Sequence, residues 1–408
     1  MRVEEAFQLF TEGRVVRSPS RAKVMRDSFI EEMPFFNSTQ RSLAATVRDF
    51  VAREIEPNAG NELSNDAHFR ALVEQLAGAD LLRYAVAQAG MPLDSRSLCL
   101  IRESLSYSSP LADLAFVMQG LGTYALSQAA PEHVRDFWCE KAVRGKAVAA
   151  FALTEPDAGS DVAAIKTTAR RDGDAYVIDG TKRFISNAGI ADFYTVFART
   201  GERADGRTQL SCFVVGARMP GFLLRSRMEM IAPHPIGEIE FKGCRVPAED
   251  MVGNEGDGFR LALQTLDTFR ASVGAAACGM ARRALDEAIA YARSRQQFGR
   301  AIAEHQLIQE KLARMATELD AARLLVYRAA YLKDAGADTV TREASEAKLF
   351  ATESASRIID EALQIHGGAG LIRGHIIERL YRDIRALRIY EGTSEIQKLI
   401  IAGQLLKA

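Results

Sequence analysis

A chain of 408 residues is too long for one small core and is expected to divide into two or three domains of ordinary size. With 48% hydrophobic and 26% charged residues and a formal net charge of −1, its surface carries no strong field of one sign. That excludes nucleic acid or an anionic membrane as a partner drawn by bulk charge, and no apolar run approaches the length of a bilayer span. Residues Met1 to Glu5 lack the apolar core of a signal peptide. The five cysteines (Cys99, Cys139, Cys212, Cys244, Cys278) have no CxxC spacing, and the six histidines form no HxxxH or HxH cluster. The expectation is reduced thiols in a cytoplasmic protein without a bound metal.

Residues 1–38 read as a polar extension, with turn signals at Ser18-Pro19-Ser20 and at Met33-Pro34. From Thr39 onward, Leu43, Val47, Phe50 and Val51 recur at helical spacing and predict a helix that ends before Pro57. Further helices are expected over 66–79, 98–107 and 111–128, then a short one after Pro131, which suits a first helical position. Residues 39–150 are thus expected to form an all-helical domain.

The texture changes after Phe151. Residues 175–178 and 183–185 read as strands flanking Asp179-Gly180, a pair that predicts a hairpin. Runs at 193–198, 210–215 and 236–241 are separated by Gly- and Pro-bearing loops, which suggests a compact antiparallel sheet or barrel ending near Pro247. Residues 253–258 read as a glycine-rich linker: no GxGxxG is present and no strand leads into it. The middle β domain is expected over 151–258.

From Phe259 the helical period returns. Ile308, Leu312, Met315, Leu319, Ala322, Val326 and Ala329 form the seam of an antiparallel bundle. Helices over 341–366 and 394–406 complete about four long helices in residues 259–408. The predicted class is α+β multidomain, in the order all-α domain, antiparallel β domain, four-helix bundle.

Five stretches carry candidate chemistry. Residues 151–161 offer the hydroxyls of Thr154 and Ser160 and a glycine, Gly159, that permits close backbone approach to a heterocycle or phosphate. Phe184 and Ser186 would share one strand face, an aromatic plane beside a hydroxyl. Arg295–Gly299 ends one long helix with a cation and an aromatic, and Gln364–Gly370 ends another with an amide and a glycine loop. Taken singly, these are turns, strands and helix caps. Ile389-Tyr390-Glu391-Gly392-Thr393-Ser394-Glu395 sets a carboxylate on a glycine-hinged turn, ahead of a helix that Thr393 or Ser394 can cap. Alone it is an ordinary loop glutamate.

Together, ALTEPDAGSD, RFISNAG, RSRQQFG, QIHGGAG and IYEGTSEIQ resemble the acyl-CoA dehydrogenase family of flavoproteins, over a span from about residue 40 to the C-terminus. The resemblance implies the same three-domain order, FAD as cofactor, and α,β-dehydrogenation of an acyl thioester to the trans-2-enoyl thioester. Glu391 would be the α-proton base, its basicity raised by an apolar site. Its backbone N–H and a flavin ribityl hydroxyl would face the thioester carbonyl. Arg270 and Asp267 would lie beside the thioester end and the catalytic loop, with Ser160, Tyr390 and Gly392 on the substrate. Phe151, Leu153, Thr154, Gly159 and Ser160 would contact flavin, pyrophosphate or pantetheine, and Phe184 and Ser186 the isoalloxazine. Thr393 and Glu395 would touch the adenylate half. Arg295, Gln297, Phe298, Gln364 and Gly368 would reach the FAD of a neighbouring subunit, which implies a homodimer or a dimer of dimers. The implied acceptor is electron-transfer flavoprotein, and the implied setting is fatty acid metabolism.

The chain also departs from the family pattern. Phe184 stands where Trp is common, residues 231–237 replace a more usual Arg- and Ser-containing segment, and Lys398 and Gly403 stand where Arg is common. Three alternatives accompany the resemblance: an acyl thioester oxidase, a dehydrogenase acting on an acyl carrier protein, and a non-catalytic flavin or nucleic-acid binder. For the binder the footprint would be Arg379, Arg382, Arg385 and Arg388, a stripe that reads equally as a solvated helix face with acid partners Glu378 and Asp383.

Overall fold

The computed structural model describes residues 27–60, 66–89 and 91–407; the turn expected at Ser18-Pro19-Ser20 lies outside the described residues. The first helical part comprises α1 (Ser28–Glu32), α2 (Ser38–Phe50), α3 (Asp66–Gly78), α4 (Ser95–Ser108), α5 (Pro110–Ala129) and α6 (Glu132–Val143). Its starts follow local chemistry. Asn37 and Gln40 form a reciprocal capping box on α2. Pro110 is the first residue of α5, after Ser109, whose hydroxyl accepts from the Ala112 N–H at 3.2 Å. Beyond Phe50 the backbone runs on as a π segment, Val51–Ile55, and then a 3-10 turn, Glu56–Asn58, which contains Pro57. Helices α4 and α5 are buried nearly all round, which places Arg102 and Asp113 in the interior.

The middle part is one seven-stranded sheet in the order β1-β4-β2-β3-β7-β6, with β5 on β4. The strands are β1 (Ala149–Ala152), β2 (Thr168–Asp172), β3 (Ala175–Ser186), β4 (Phe193–Glu202), β5 (Thr208–Gly216), β6 (Phe222–Met228) and β7 (Ile236–Pro247). Most pairs are antiparallel, but β1 and β2 each pair with β4 in parallel. The hairpin expected at Asp179-Gly180 is absent, because β3 runs straight through those residues. Gly180, at φ +148°, sits at a register shift against β7, and a Cβ there would meet the Thr167 hydroxyl at 2.5 Å. The actual turn is one hairpin earlier, at Gly173-Asp174, which closes the Asp172–Ala175 pair between β2 and β3. β1, β2 and β6 escaped the sequence reading; β2 and β6 are rich in arginine and largely exposed, so their alternation is weak.

The last part contains α7 (Gly258–Ser294), α8 (Gln306–Asp334), α9 (Thr341–His366), α10 (Ile376–Leu387) and α11 (Ser394–Leu405). Buried alanines, among them Ala277, Ala281 and Ala284 on α7 and Ala347, Ala351 and Ala355 on α9, keep the helices close. Cys99 and Leu100 of α4 belong to the same apolar cluster, so α4 joins the two helical parts. No helix among the described residues is long and apolar enough to cross a membrane.

Candidate active site

The turn between α10 and α11 is held from several sides. Thr393 caps α11 by accepting from the Ile396 N–H at 3.3 Å. The Ser394 hydroxyl and Arg388 Nε both donate to Glu353 Oε1, at 2.6 and 2.9 Å. Lys348 Nζ donates to the Gly392 carbonyl at 2.6 Å, and Gln397 Nε2 donates to the carbonyls of Glu391 and Gly392 at 3.1 and 3.0 Å. So braced, Glu391 sits at φ +53°, a left-handed conformation that costs a non-glycine residue about 1–2 kcal/mol. The residue is half-buried, and its Oε2 is fully enclosed with no hydrogen-bond partner. Burial raises its pKa, against the opposing charges of Arg102, Lys348 and Arg270 and with the support of Asp113.

Those charges form the wall behind the turn. Arg102 and Asp113, with side chains 1% and 5% exposed, make a bidentate pair with both contacts at 2.8 Å, and Arg102 Nη1 donates to Ser272 at 2.8 Å. Arg270 pairs with Asp267 on the same helix, and Asp267 also accepts from the Thr341 hydroxyl at 3.1 Å. Their spacing alone suggests a surface ion pair, but the Arg270 side chain is only 5% exposed and its Nε has no partner. Phe269, between them in sequence, is fully buried against Tyr124 and directly over Gly120, where a Cβ would meet its ring at 2.6 Å. Met118, Gln119 and Gly120 are all buried, and Gln119 Oε1 accepts from the Ala149 N–H at 3.2 Å.

A second group lies along β1 and β3. Lys182, fully buried, donates from Nζ to the Leu153 carbonyl at 3.1 Å and to Glu155 Oε1 at 2.8 Å. Glu155 in turn accepts from the N–H groups of Lys166 and Thr167 at 2.6 and 3.0 Å. Burial pushes the Lys182 amine down to about 8. This pair fixes residues 153–160, where Gly159 faces open space. Across from it, Phe184 sits in a register shift at φ +57° with 57% of its surface exposed, and the Arg183 guanidinium lies 5.2 Å from its ring. The Ser186 hydroxyl meets His234 Nε2 at 2.8 Å. Ile185 is buried between Phe184 and Ser186, but Phe184 lies in a bulge of β3 and not in the regular strand alternation that was expected.

The third group faces outward. Arg295 is the C-cap of α7, as expected of a helix end, but the residues after it do more than cap: Gln296–Gln297 pairs with Arg300–Ala301 in a small hairpin. Phe298 and Gly299 form its two-residue tip at φ +54° and +78°, a primed-turn geometry that leaves Phe298 93% exposed. Tyr291 stacks on His366 at 4.4 Å, so the ends of α7 and α9 lie side by side. Gln364, Gly368, Arg295 and Gln297 are exposed, as is Glu395 on α11.

Sequence reasoning missed Lys348, Lys182–Glu155, Arg102–Asp113, Gln397 and His234. A lone arginine on the apolar helix Leu98–Leu105 was a readable signal that an acidic partner lies nearby. The arginine stripe is largely engaged: Arg379 donates to the Ala59 carbonyl at 2.5 Å, Arg382 pairs with Glu378 at 2.6 Å, and Arg388 with Glu353.

Sequence profiles for the acyl-CoA dehydrogenase N-terminal, middle and C-terminal domains match residues 37–146, 150–244 and 256–406. Among similar proteins, 3-(aryl)acrylate reductase of Clostridium sporogenes is 41% identical over 381 residues, covering 91% of this chain and all of that protein. The solved butyryl-CoA dehydrogenase of Megasphaera elsdenii superposes with a TM-score of 0.84 at 31% identity, covering 91% of this chain and 99% of that one. A glutaryl-CoA dehydrogenase of Mycobacterium smegmatis, solved in complex with FADH2, gives 0.82 at 28% identity over 92% and 96%.

Proposed function

Because the chain belongs to the acyl-CoA dehydrogenase family of FAD-dependent oxidoreductases, we propose that it dehydrogenates an acyl-CoA thioester between Cα and Cβ with Glu391 as the base. The observation that carries this reading is the enclosed, unpartnered carboxylate oxygen of Glu391 on a turn braced by Lys348 and Gln397. A carboxylate with raised pKa and a free lone pair is what α-proton abstraction requires.

The residues present fit a flavin. Phe184 leaves an aromatic face open beside a hydroxyl, and Gly159 leaves room for close backbone approach. Phe151, Leu153, Thr154 and Ser160 would hold FAD along β1 and its loop, Phe184 and Ser186 along β3, and Thr393 and Glu395 at the start of α11. Bound FAD supplies the acceptor for the hydride that leaves Cβ. The chain's own part is to orient the thioester through Ser160, Asp267, Arg270, Tyr390 and Gly392, to offer the Glu391 N–H to its carbonyl, and to take the α-proton on Glu391 Oε2. Arg295, Gln297, Phe298, Gln364 and Gly368 would complete the cofactor site of a neighbouring copy, in a homodimer or a dimer of dimers. Their exposure and the strained Phe298 tip support that reading.

The acyl group is assigned as short or ring-bearing, on the likeness to a butyryl-CoA dehydrogenase and a 3-(aryl)acrylate reductase. Electron-transfer flavoprotein is the proposed acceptor and the cytoplasm the proposed location. The test is anaerobic titration of the yellow enzyme with butyryl-, cyclohexanecarbonyl-, arylpropionyl- and long-chain acyl-CoA, and with an acyl carrier protein ester. Bleaching by at least one CoA ester is expected, and none by any of them overturns the reading. Reoxidation in air as fast as turnover, with peroxide formed, would make the enzyme an oxidase. The first relative favours a second reading, reduction of an arylacrylyl thioester; oxidation of the chemically reduced enzyme by that ester tests it.

A further inference from the structure

His234 belongs to none of the roles above, yet it is held in place from both sides. β3 and β7 pair Ser186 with Ile236, and the next residue, Asn187, donates its N–H to the Pro235 carbonyl at 2.7 Å. Asn187 is itself anchored by donating Nδ2 to the Ala149 carbonyl at 2.9 Å. At the far end of the loop, Arg382 donates Nη1 to the Ile231 carbonyl at 2.9 Å while pairing with Glu378. Between these ties, His234 Nε2 reaches the Ser186 hydroxyl at 2.8 Å.

We propose that His234 is a positioning residue that fixes the Ser186 hydroxyl rotor beside the flavin. The inference rests on the reading of Ser186 as a flavin contact. A serine hydroxyl rotates freely unless a partner fixes it, and its lone pairs and proton reach a neighbour only in the right rotamer. Burial pushes the imidazole down to about 4, so at neutral pH it is uncharged, with one nitrogen accepting and one donating. Either tautomer ties up one side of the Ser186 oxygen and leaves the other for the ring system. The hydroxyl is thereby set before cofactor arrives, and its ordering is not charged against binding.

The test uses the full-length FAD enzyme and reads the visible flavin band, the flavin midpoint potential and the FAD dissociation constant. His234→Phe keeps ring bulk and removes the nitrogen; His234→Gln restores a polar atom near Nε2; Ser186→Ala removes the partner. His234→Phe and Ser186→Ala are expected to move the band and the potential in the same direction and to weaken FAD binding by about tenfold each. The double variant is expected within about twofold of either single, because the two act as one unit, and His234→Gln should recover most of the parent's values. If Ser186→Ala shifts the flavin and His234→Phe does not, the positioning role falls while the flavin reading stands. If Ser186→Ala shifts nothing, the flavin contact itself falls. Fully multiplicative effects in the double variant would make the two residues independent and also end the proposal.

Discussion

Lys348 Nζ lies 2.6 Å from the carbonyl oxygen of Gly392, so a buried ammonium from the first third of α9 grips the turn that carries Glu391. Burial pushes that amine down to about 8, even with Glu391 opposing the shift. Lys348→Met keeps length and packing but releases the turn. FAD content is expected to stay intact while kcat falls about 100-fold, the usual consequence of misplacing a reacting group by about 1 Å. Stopped-flow bleaching at saturating thioester would show it, and a parental rate would detach Lys348 from the turn's function.

Glu391→Gln separates chemistry from stability. A group whose folded pKa is raised stabilises fully below its unfolded value and loses that contribution as pH rises through the folded one. The variant is therefore expected to be more stable than the parent at pH 7, by about 1 kcal/mol, and to lose that advantage near pH 4. Dehydrogenation should drop by roughly 10²–10⁴-fold with FAD retained. In the parent, the acid limb of kcat/KM should lie above the ordinary glutamate range. Substantial turnover in the Gln variant would move the base elsewhere.

The Arg102–Asp113 pair predicts a sharply non-additive stability cycle. Asp113→Ala leaves a buried guanidinium without its counter-ion and is expected to cost about 3–5 kcal/mol. Arg102→Met with Asp113→Leu should cost far less than the two singles summed. Arg102→Met alone removes the largest charge that holds the Glu391 pKa down, so its acid limb should move to higher pH. Urea unfolding and pH–rate profiles on the same samples give both readouts, and additive costs would contradict the buried-pair account.

Phe298→Ala tests the outward hairpin. Its side chain touches little of its own subunit, and alanine keeps a Cβ in the same left-handed turn, so the fold should melt unchanged. FAD affinity is expected to fall about tenfold or more, as for a buried aromatic anchor. Light scattering with flavin fluorescence on dilution follows both. Unchanged FAD release from an intact oligomer would contradict a role at the neighbour's cofactor.

The helical order and the glutamate turn were legible because they depend on local signals: 3.6-residue periodicity, Pro131, and a glycine beside a capping threonine. Asp179-Gly180 misled because its glycine serves a bulge, a demand set by Thr167, the residue just ahead of the paired strand β2. The outer residues of the site were readable as motifs. The charges that tune and hold it were not, since Lys348 meets Gly392 across 44 residues and Arg102 meets Ser272 across 170. Such pairings exist only after the helices have packed.

The Phe298 tip also has a genetic consequence. If it completes the cofactor site of a neighbour, each site takes its base from one gene copy and its aromatic clamp from another. A subunit carrying Glu391→Gln still lends an intact Phe298, and a subunit carrying Phe298→Ala still owns an intact base. Co-expressed, the two impaired alleles would assemble mixed dimers in which one site of two has both an intact base and an intact clamp, so the defects would complement each other within a single gene.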